Sequence, residues 1–200
     1  MKTFKEHANI NVPSPEMWKQ MHQWYVDRTN FHITTVQAFC ERIANRFSEF
    51  EDLRTRAVLH DQSKLREPEK TPYIYISWKY RCKDKGWDFS ECNPPENIDE
   101  LMANATHHHV TTNSHHPEFH SSSKISARIF DRDRDDPSDK KIDATSMAEL
   151  DIAEMCADWL AMSKEKGTSA IDWADRNVNV RWMFTPKQAE LIYKILKEFT

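Results

Sequence analysis

Only two of the 200 residues are glycine, Gly86 and Gly167. Tight hairpins and bulges draw heavily on glycine, so a many-stranded sandwich or barrel is hard to build from this chain. Phosphate-cradling loops of the Walker and dinucleotide types need several glycines in one short window, and none can be written here. What remains is a mainly helical fold, and the expected class is all-α. Hydrophobic residues make up 38% and aromatic residues 11% of the chain, enough for a real core in one domain of this length. Charged residues reach 30% but leave a net charge of only −4. The basic residues form no stripe, so a nucleic-acid duplex is not an expected partner.

The four cysteines, Cys40, Cys82, Cys92 and Cys156, make no CxxC pair. They read as free thiols in a reducing compartment. The opening MKTFKEHANI lacks the apolar stretch of a signal peptide, and no window approaches the roughly 18 apolar residues of a membrane span. The expectation is a cytoplasmic protein without a membrane partner; a homo-oligomer is left open.

Periodicity and caps place the helices. Ser14-Pro15-Glu16 is a start signal for a helix to about residue 27. A second is expected over 31–47, with His32, Val36, Phe39 and Ile43 on one stripe. A third, over 51–66, stops before Pro68; its stripe runs Leu53, Ala57, His60, Lys64, with Asp61 about 100° to one side. YIYISWKY (73–80) is rich in strand-forming residues but has helical neighbours, and helix is the reading adopted; 82–95 reads as a polar connection. A helix over 96–110 carries Leu101, Ala105 and His108 inward with His109 beside them, followed by a turn over 111–119 closed by Pro117. Residues 121–144 read as a solvated loop. Ser146 with Glu149 forms a capping box for a helix ending at Gly167, and Asp151, Glu154, Met155 and Asp158 share a 100° arc of it. Thr185-Pro186-Lys187-Gln188 opens the last helix, with Leu191, Ile192, Ile195 and Leu196 inward.

Six of the ten histidines fall between His107 and His120. His32, His60-Asp61 with Lys64, His108-His109, His115-His116 and Asp151 interrupt helix faces that otherwise point into a core. One buried histidine is ordinary, but several histidines and aspartates buried without a metal would be costly many times over. Imidazoles and carboxylates suit Zn, Fe, Mn, Co and Ni, and one carboxylate such as Asp61 can bridge two ions. The expected cofactor is one or two divalent transition metals.

The order of these motifs resembles the HD superfamily of metal-dependent phosphohydrolases, and within it an uncharacterised family of bacteria and phages. That family's pattern is similar to HITTV (32–36), RAVLHDQSKLREPE (56–69), HHVTTNSHHPE (108–118) and MAELDIAEMCADW (147–159) in this chain. The resemblance implies one HD-like helical domain over 1–200, its core at about 14–166 with a helical extension over 167–200, and a metal site at its centre. It implies His32, His60, Asp61 and Asp151 as metal ligands, with Asp61 bridging if two ions bind. His108 and His115 are the choices for the second ion; His109 and His116 are their rivals and otherwise catalytic candidates with Asp61 and Lys64. Asp158 rivals Asp151. Lys64, Asn113 and Glu154 are the expected substrate contacts, Glu154 alternatively supporting a ligand from behind. Lys64 stands where many HD nucleotidases have an acid, which favours a binuclear site.

The implied activity is hydrolysis of a small phosphorylated substrate, a nucleotide being the expected class, with Tyr73, Tyr75, Trp78 and Trp159 as base-stacking candidates, though core packing is the more ordinary role for each. An HD-type di-iron oxygenase and a non-enzymatic protein that keeps its metal for stability are the alternatives.

Overall fold

The structure, a computed structural model, describes residues 11–121 and 141–200. They form seven α-helices: α1 (Pro15–Arg46), α2 (Leu53–Ala57), α3 (Lys70–Lys85), α4 (Ile98–Thr112), α5 (Glu149–Lys166), α6 (Ala170–Asn177) and α7 (Pro186–Phe199). Two short strands, β1 (Ile142–Asp143) and β2 (Trp182–Met183), pair in parallel, tying the approach to α5 to the α6–α7 connection. The all-α expectation holds; the two-residue strands are too short for a periodicity to announce them.

The two helices expected over 14–27 and 31–47 are one helix of 32 residues, about 48 Å long. Nothing in Asp27-Arg28-Thr29-Asn30 breaks a helix, and Thr29 is buried rather than looped out. α1 spans two separate hydrophobic clusters. Its first half, with Met21 and Tyr25, packs with Ile74, Trp78 and Cys82 of α3 and with Met102 and Ala105 of α4. Its second half, from Val36 to Ala44, packs with Ile152, Met155 and Leu160 of α5 and with Ile192, Ile195 and Leu196 of α7. Burial of each such aliphatic side chain contributes about 1.5–3 kcal/mol. Between the clusters, α1 buries three polar residues in succession, Thr29, His32 and Thr35. The fold therefore has an apolar core at each end and a polar waist.

Both glycines have the same task. Gly86 (φ 68°) and Gly167 (φ 63°) are left-handed caps at the C-termini of α3 and α5. YIYISWKY lies inside α3, with Tyr73, Tyr75 and Trp78 in the core, so the helical reading holds. Part of the expected polar connection after it is ordered inward, with Cys92 buried beside the α3 cluster. All four cysteines are free and buried. Thr185 and Gln188 form the expected capping box. The box expected from Ser146 does not form: α5 starts at Glu149, and the Ser146 hydroxyl donates to the His120 carbonyl instead. Of the loop expected over 121–144, residues 122–140 lie outside the described residues. No helix among the described residues is long and apolar enough to cross a membrane.

The helix expected over 51–66 is broken. α2 ends at Ala57, the chain turns, and Gln62–Leu65 forms a 3-10 turn. The break lies at Asp61, which adopts a left-handed conformation (φ 56°). A continuous helix would point His60 and Asp61 about 100° apart. The turn lets both reach into the waist, where His60 is 2% and Asp61 1% exposed.

Candidate metal centre

Four parts of the chain converge on Asp61: α1 through His32, the turn after α2 through His60, α4 with its following turn through His109 and His115, and α5 through Asp158. The two oxygens of Asp61 face different imidazole pairs. Oδ1 lies 3.2 Å from His109 Nε2 and 3.6 Å from His115 Nε2. Oδ2 lies 3.5 Å from His32 Nε2 and 3.8 Å from His60 Nε2. Asp158 Oδ1 approaches His32 Nε2 at 3.1 Å. Two ligands held 2.0–2.2 Å from a common ion stand about 3–3.6 Å apart, a range that holds all of these spacings but the 3.8 Å of His60, so the set could hold an ion on each side of Asp61.

The orientation of the rings is imposed from behind. His32 Nδ1 lies 2.7 Å from Glu165, His60 Nδ1 3.0 Å from Glu154, and His109 Nδ1 2.9 Å from Glu69. A neutral imidazole that donates from Nδ1 to a carboxylate presents a bare Nε2, the arrangement that orients and enriches metal-binding histidines. Glu69 is 0% exposed, and its charge is sustained although burial opposes it: bonds from His109, His108 and Ser63 hold it below the ordinary carboxylate range. Glu154 is likewise held low against burial by His60, His115 and Arg56.

The fit to a metal is tested by what the front of the site lacks. Among the described residues, Nε2 of His60, His109, His115 and His116 and Oδ1 of Asp61 are out of solvent with no hydrogen-bond partner. Unpaired buried polar atoms are rare in folded proteins, and four imidazole nitrogens clustered with one carboxylate oxygen match a set of ligand atoms. The residues present form two facing groups that could each hold an ion, Asp61-His109-His115-His116 and His32-His60-Asp158. A third overlapping group, His60-His115-Glu154, lies on the Nδ1 side, where Glu154 already faces both rings.

Lys64 closes on the cluster from one side. Its Nζ is 2.5 Å from Asp61 Oδ2 and 5.4 Å from the centre of the Tyr73 ring, and the Tyr25 hydroxyl donates to its backbone carbonyl. Burial works against the ammonium charge, but Asp61 outweighs it and holds the Lys64 pKa above its ordinary value. Lys64 and Asp158 are the members of this side that solvent reaches, at 20% and 16% side-chain exposure.

The titration of these groups gives the metal-free protein an expected pH profile. Burial and His60 push His115 down to about 3, and burial with His115 and His109 holds His116 well below 6.5. Burial also disfavours charge on His32, but bonds to Asp158 and Glu165 outweigh it and raise it to about 9. For His115 and His116 the unfolded chain binds protons first, so their contribution is complete above 6.5 and is lost as pH falls. For His32 it is complete below 6.5 and is lost as pH rises towards about 9. Stability of the chelated protein should therefore peak near pH 6.5, falling on either side with limiting slopes of about 1.4 kcal/mol per pH unit per histidine. A profile flat from pH 5 to 9 would contradict this arrangement.

The expected site residues are thus mostly, not wholly, brought together. His32, His60, Asp61, Lys64 and His115 converge as expected. His108 does not: its side chain is 43% exposed and its Nδ1 lies against Glu69, 2.7 Å away, so its neighbour His109 occupies the inward position. The two differ by about 100° on α4, and only the fold decides which faces Asp61. Asp151 is turned away too; Arg56 binds it at 2.5 Å, and Asp158, two turns on, takes the position beside His32. Asn113 folds back onto His109, with Nδ2 3.2 Å from Nδ1 and 2.8 Å from the carbonyl, and Glu154 lies behind His60. Neither is placed as an open substrate contact. Tyr73, Tyr75, Trp78 and Trp159 all belong to the core, the alternative already favoured for each.

Glu69 and Glu165 were missed as ring-orienting carboxylates. A signal existed for Glu165: Glu154, Asp158 and Glu165 fall within about 40° on one helix, an acidic stripe running into a buried face. Glu69 closes the RAVLHDQSKLREPE motif (56–69), but nothing local marks it as buried, because its burial depends on a contact across 40 residues with His109.

Comparisons with known proteins place the chain without assigning it a reaction. No curated protein and no solved structure gives a significant match. Residues 21–198 match the model of a family of unknown function (DUF5662), and the chain belongs to that family.

Proposed function

We propose that this protein is a metal-dependent phosphohydrolase with an HD-type binuclear centre, acting on a small phosphorylated compound. The observation that carries the reading is Asp61, with each oxygen facing its own imidazole pair and Lys64 seated on Oδ2. His32, His60 and Asp158 with Asp61 Oδ2 would hold one ion; His109 and His115 with Asp61 Oδ1 would hold the other. Divalent ions in such a site supply an acidified water for attack and positive charge for phosphoryl oxygens. Lys64 supplies a further cation at the solvent-reached side, suited to a phosphoryl or leaving-group oxygen. Glu165, Glu154 and Glu69 keep the three rings aimed during turnover. Arg56 fixes Glu154 at 3.0 Å and Asp151 at 2.5 Å, bracing the back of the site through α5. Phosphate is the part of the substrate these residues address. A nucleotide remains the substrate class to test first, although the aromatic side chains suggested for stacking lie in the core.

The test is phosphate release from nucleotides and p-nitrophenyl phosphate by the full chain loaded with Mn, Co, Fe or Zn. Lys64→Met should retain its ions while kcat falls by about 10²–10³, the scale of losing one positioned charge at a reacting oxygen. Oxygen consumption by the iron-loaded protein, with no phosphate released from any substrate, would overturn the hydrolase in favour of an oxygenase.

A further inference from the structure

Resting on the binuclear reading, we infer that the two metal positions are unequal: His116 joins His109 and His115 to make a three-imidazole centre that retains its ion, while the His32 side is oxygen-rich and exchangeable. The argument begins with the turn after α4. Helix α4 ends at Thr112, and the His116 N–H donates to the Asn113 carbonyl at 3.1 Å, closing a turn over Asn113–His116. In an extended strand, adjacent side chains point to opposite faces. In this turn His115 and His116 point to the same place, with ring centres 4.2 Å apart, and the His116 ring is 4.8 Å from that of His109. One donor atom from each of Asp61, His109, His115 and His116 lies within 4.8 Å of the others. Nε2 of all three imidazoles is out of solvent and, among the described residues, without a hydrogen-bond partner.

A structural histidine would have both nitrogens matched to partners. Three bare nitrogens facing one carboxylate oxygen instead form a donor set of three nitrogens and one oxygen. The other side offers two nitrogens, from His32 and His60, and two carboxylates, Asp61 and Asp158. Imidazole favours Zn, Fe, Co and Ni, whereas carboxylate-rich sets accept Mn and Mg more readily. Each side has one partly exposed member, His116 on the first and Asp158 on the second, while the Lys64 side chain, 20% exposed, opens the second side to solvent. The site would therefore keep one borderline transition metal as a fixture and exchange the second, together with substrate, at the side where Lys64 stands.

Metal retention tests this without any activity. The full chain is stripped with chelator, reloaded with Zn²⁺ or Co²⁺, and dialysed against a competing chelator, with metal per chain and the Co²⁺ visible spectrum as readouts. The wild type should keep one ion tightly and lose the other. His116→Ala should weaken the tight ion at least about 10-fold, the lower bound for losing a supporting group at such sites, and change the Co²⁺ spectrum. Asp158→Asn should affect only the weaker ion. His116→Gln serves as the second variant if the alanine form lacks the wild-type helical signal when metal-free. If the wild type binds no ion, this inference and the binuclear reading fall together. If it binds two ions and both His116 variants retain the tight one with an unchanged spectrum, the inference alone is overturned, as it is if Asp158→Asn releases the tight ion.

Discussion

Asp61→Asn should abolish binding of both ions and lower phosphate release by on the order of 10³-fold or more, since one lost electrostatic contact at a reacting oxygen already costs about 10²–10³. Asp61 is the side chain whose two oxygens face imidazoles of both groups, Oδ1 at 3.2 Å from His109 and Oδ2 at 3.5 Å from His32. The amide has nearly the same shape but replaces one anionic oxygen with a donor that cannot ligate. The backbone argues for this substitution over alanine. Asp61 has φ 56°, and asparagine tolerates the left-handed region that alanine does not. Lys64 would lose its partner, but its partly exposed ammonium has solvent within reach. The variant should keep the wild-type helical circular dichroism. If it retained both ions by elemental analysis, Asp61 would not be the bridge.

The helices were legible where local signals govern them. Gly167 and the Thr185–Gln188 box lie where capping chemistry put them, whereas α3 runs on into the expected polar connection and ends at Gly86. The failures have one cause, tertiary contacts that override a local preference. Residues 51–66 have a helical stripe, yet the chain breaks there because His60 and Asp61 must both enter the waist. In α1, a polar stretch that resembled a joint proved to be the polar layer between two cores.

The site divides in the same way. Breaks in the helix stripes and the family resemblance together were enough to single out His32, His60, Asp61 and Lys64, each tied to a pattern along its own segment, while His115 stayed level with His116. The choices between His108 and His109 and between Asp151 and Asp158 were not settled by spacing. Members of each pair share similar local signals; they are separated by partners distant in sequence, Asp61, which His109 reaches while both histidines meet Glu69, and Arg56, which holds Asp151. Resemblance to a family gives order along the chain, whereas the rotation of a helix within the core is a property of packing.

Removing metal should lower the melting temperature by about 8–16 °C. A ligand at about 1,000 times its Kd stabilises the folded state by about 4 kcal/mol, and a chain of this size moves about 2–4 °C per kcal/mol. The location of the site makes the effect global. His32 is on the helix that spans both hydrophobic clusters, His60 and Asp61 follow α2, His109 and His115 belong to α4 and its turn, and Asp158 is on α5. Ions shared among these elements join the two cores through the waist. Without them, each unmatched buried nitrogen costs about 1–3 kcal/mol, and four such nitrogens face Asp61. Calorimetry of the chelated protein before and after adding Zn²⁺, Co²⁺ or Mn²⁺ measures the difference directly. The rise should be absent in Asp61→Asn, which isolates the site from surface binding by other histidines. A wild-type melting temperature unmoved by every ion would mean that the unpaired nitrogens of the waist are not ligands.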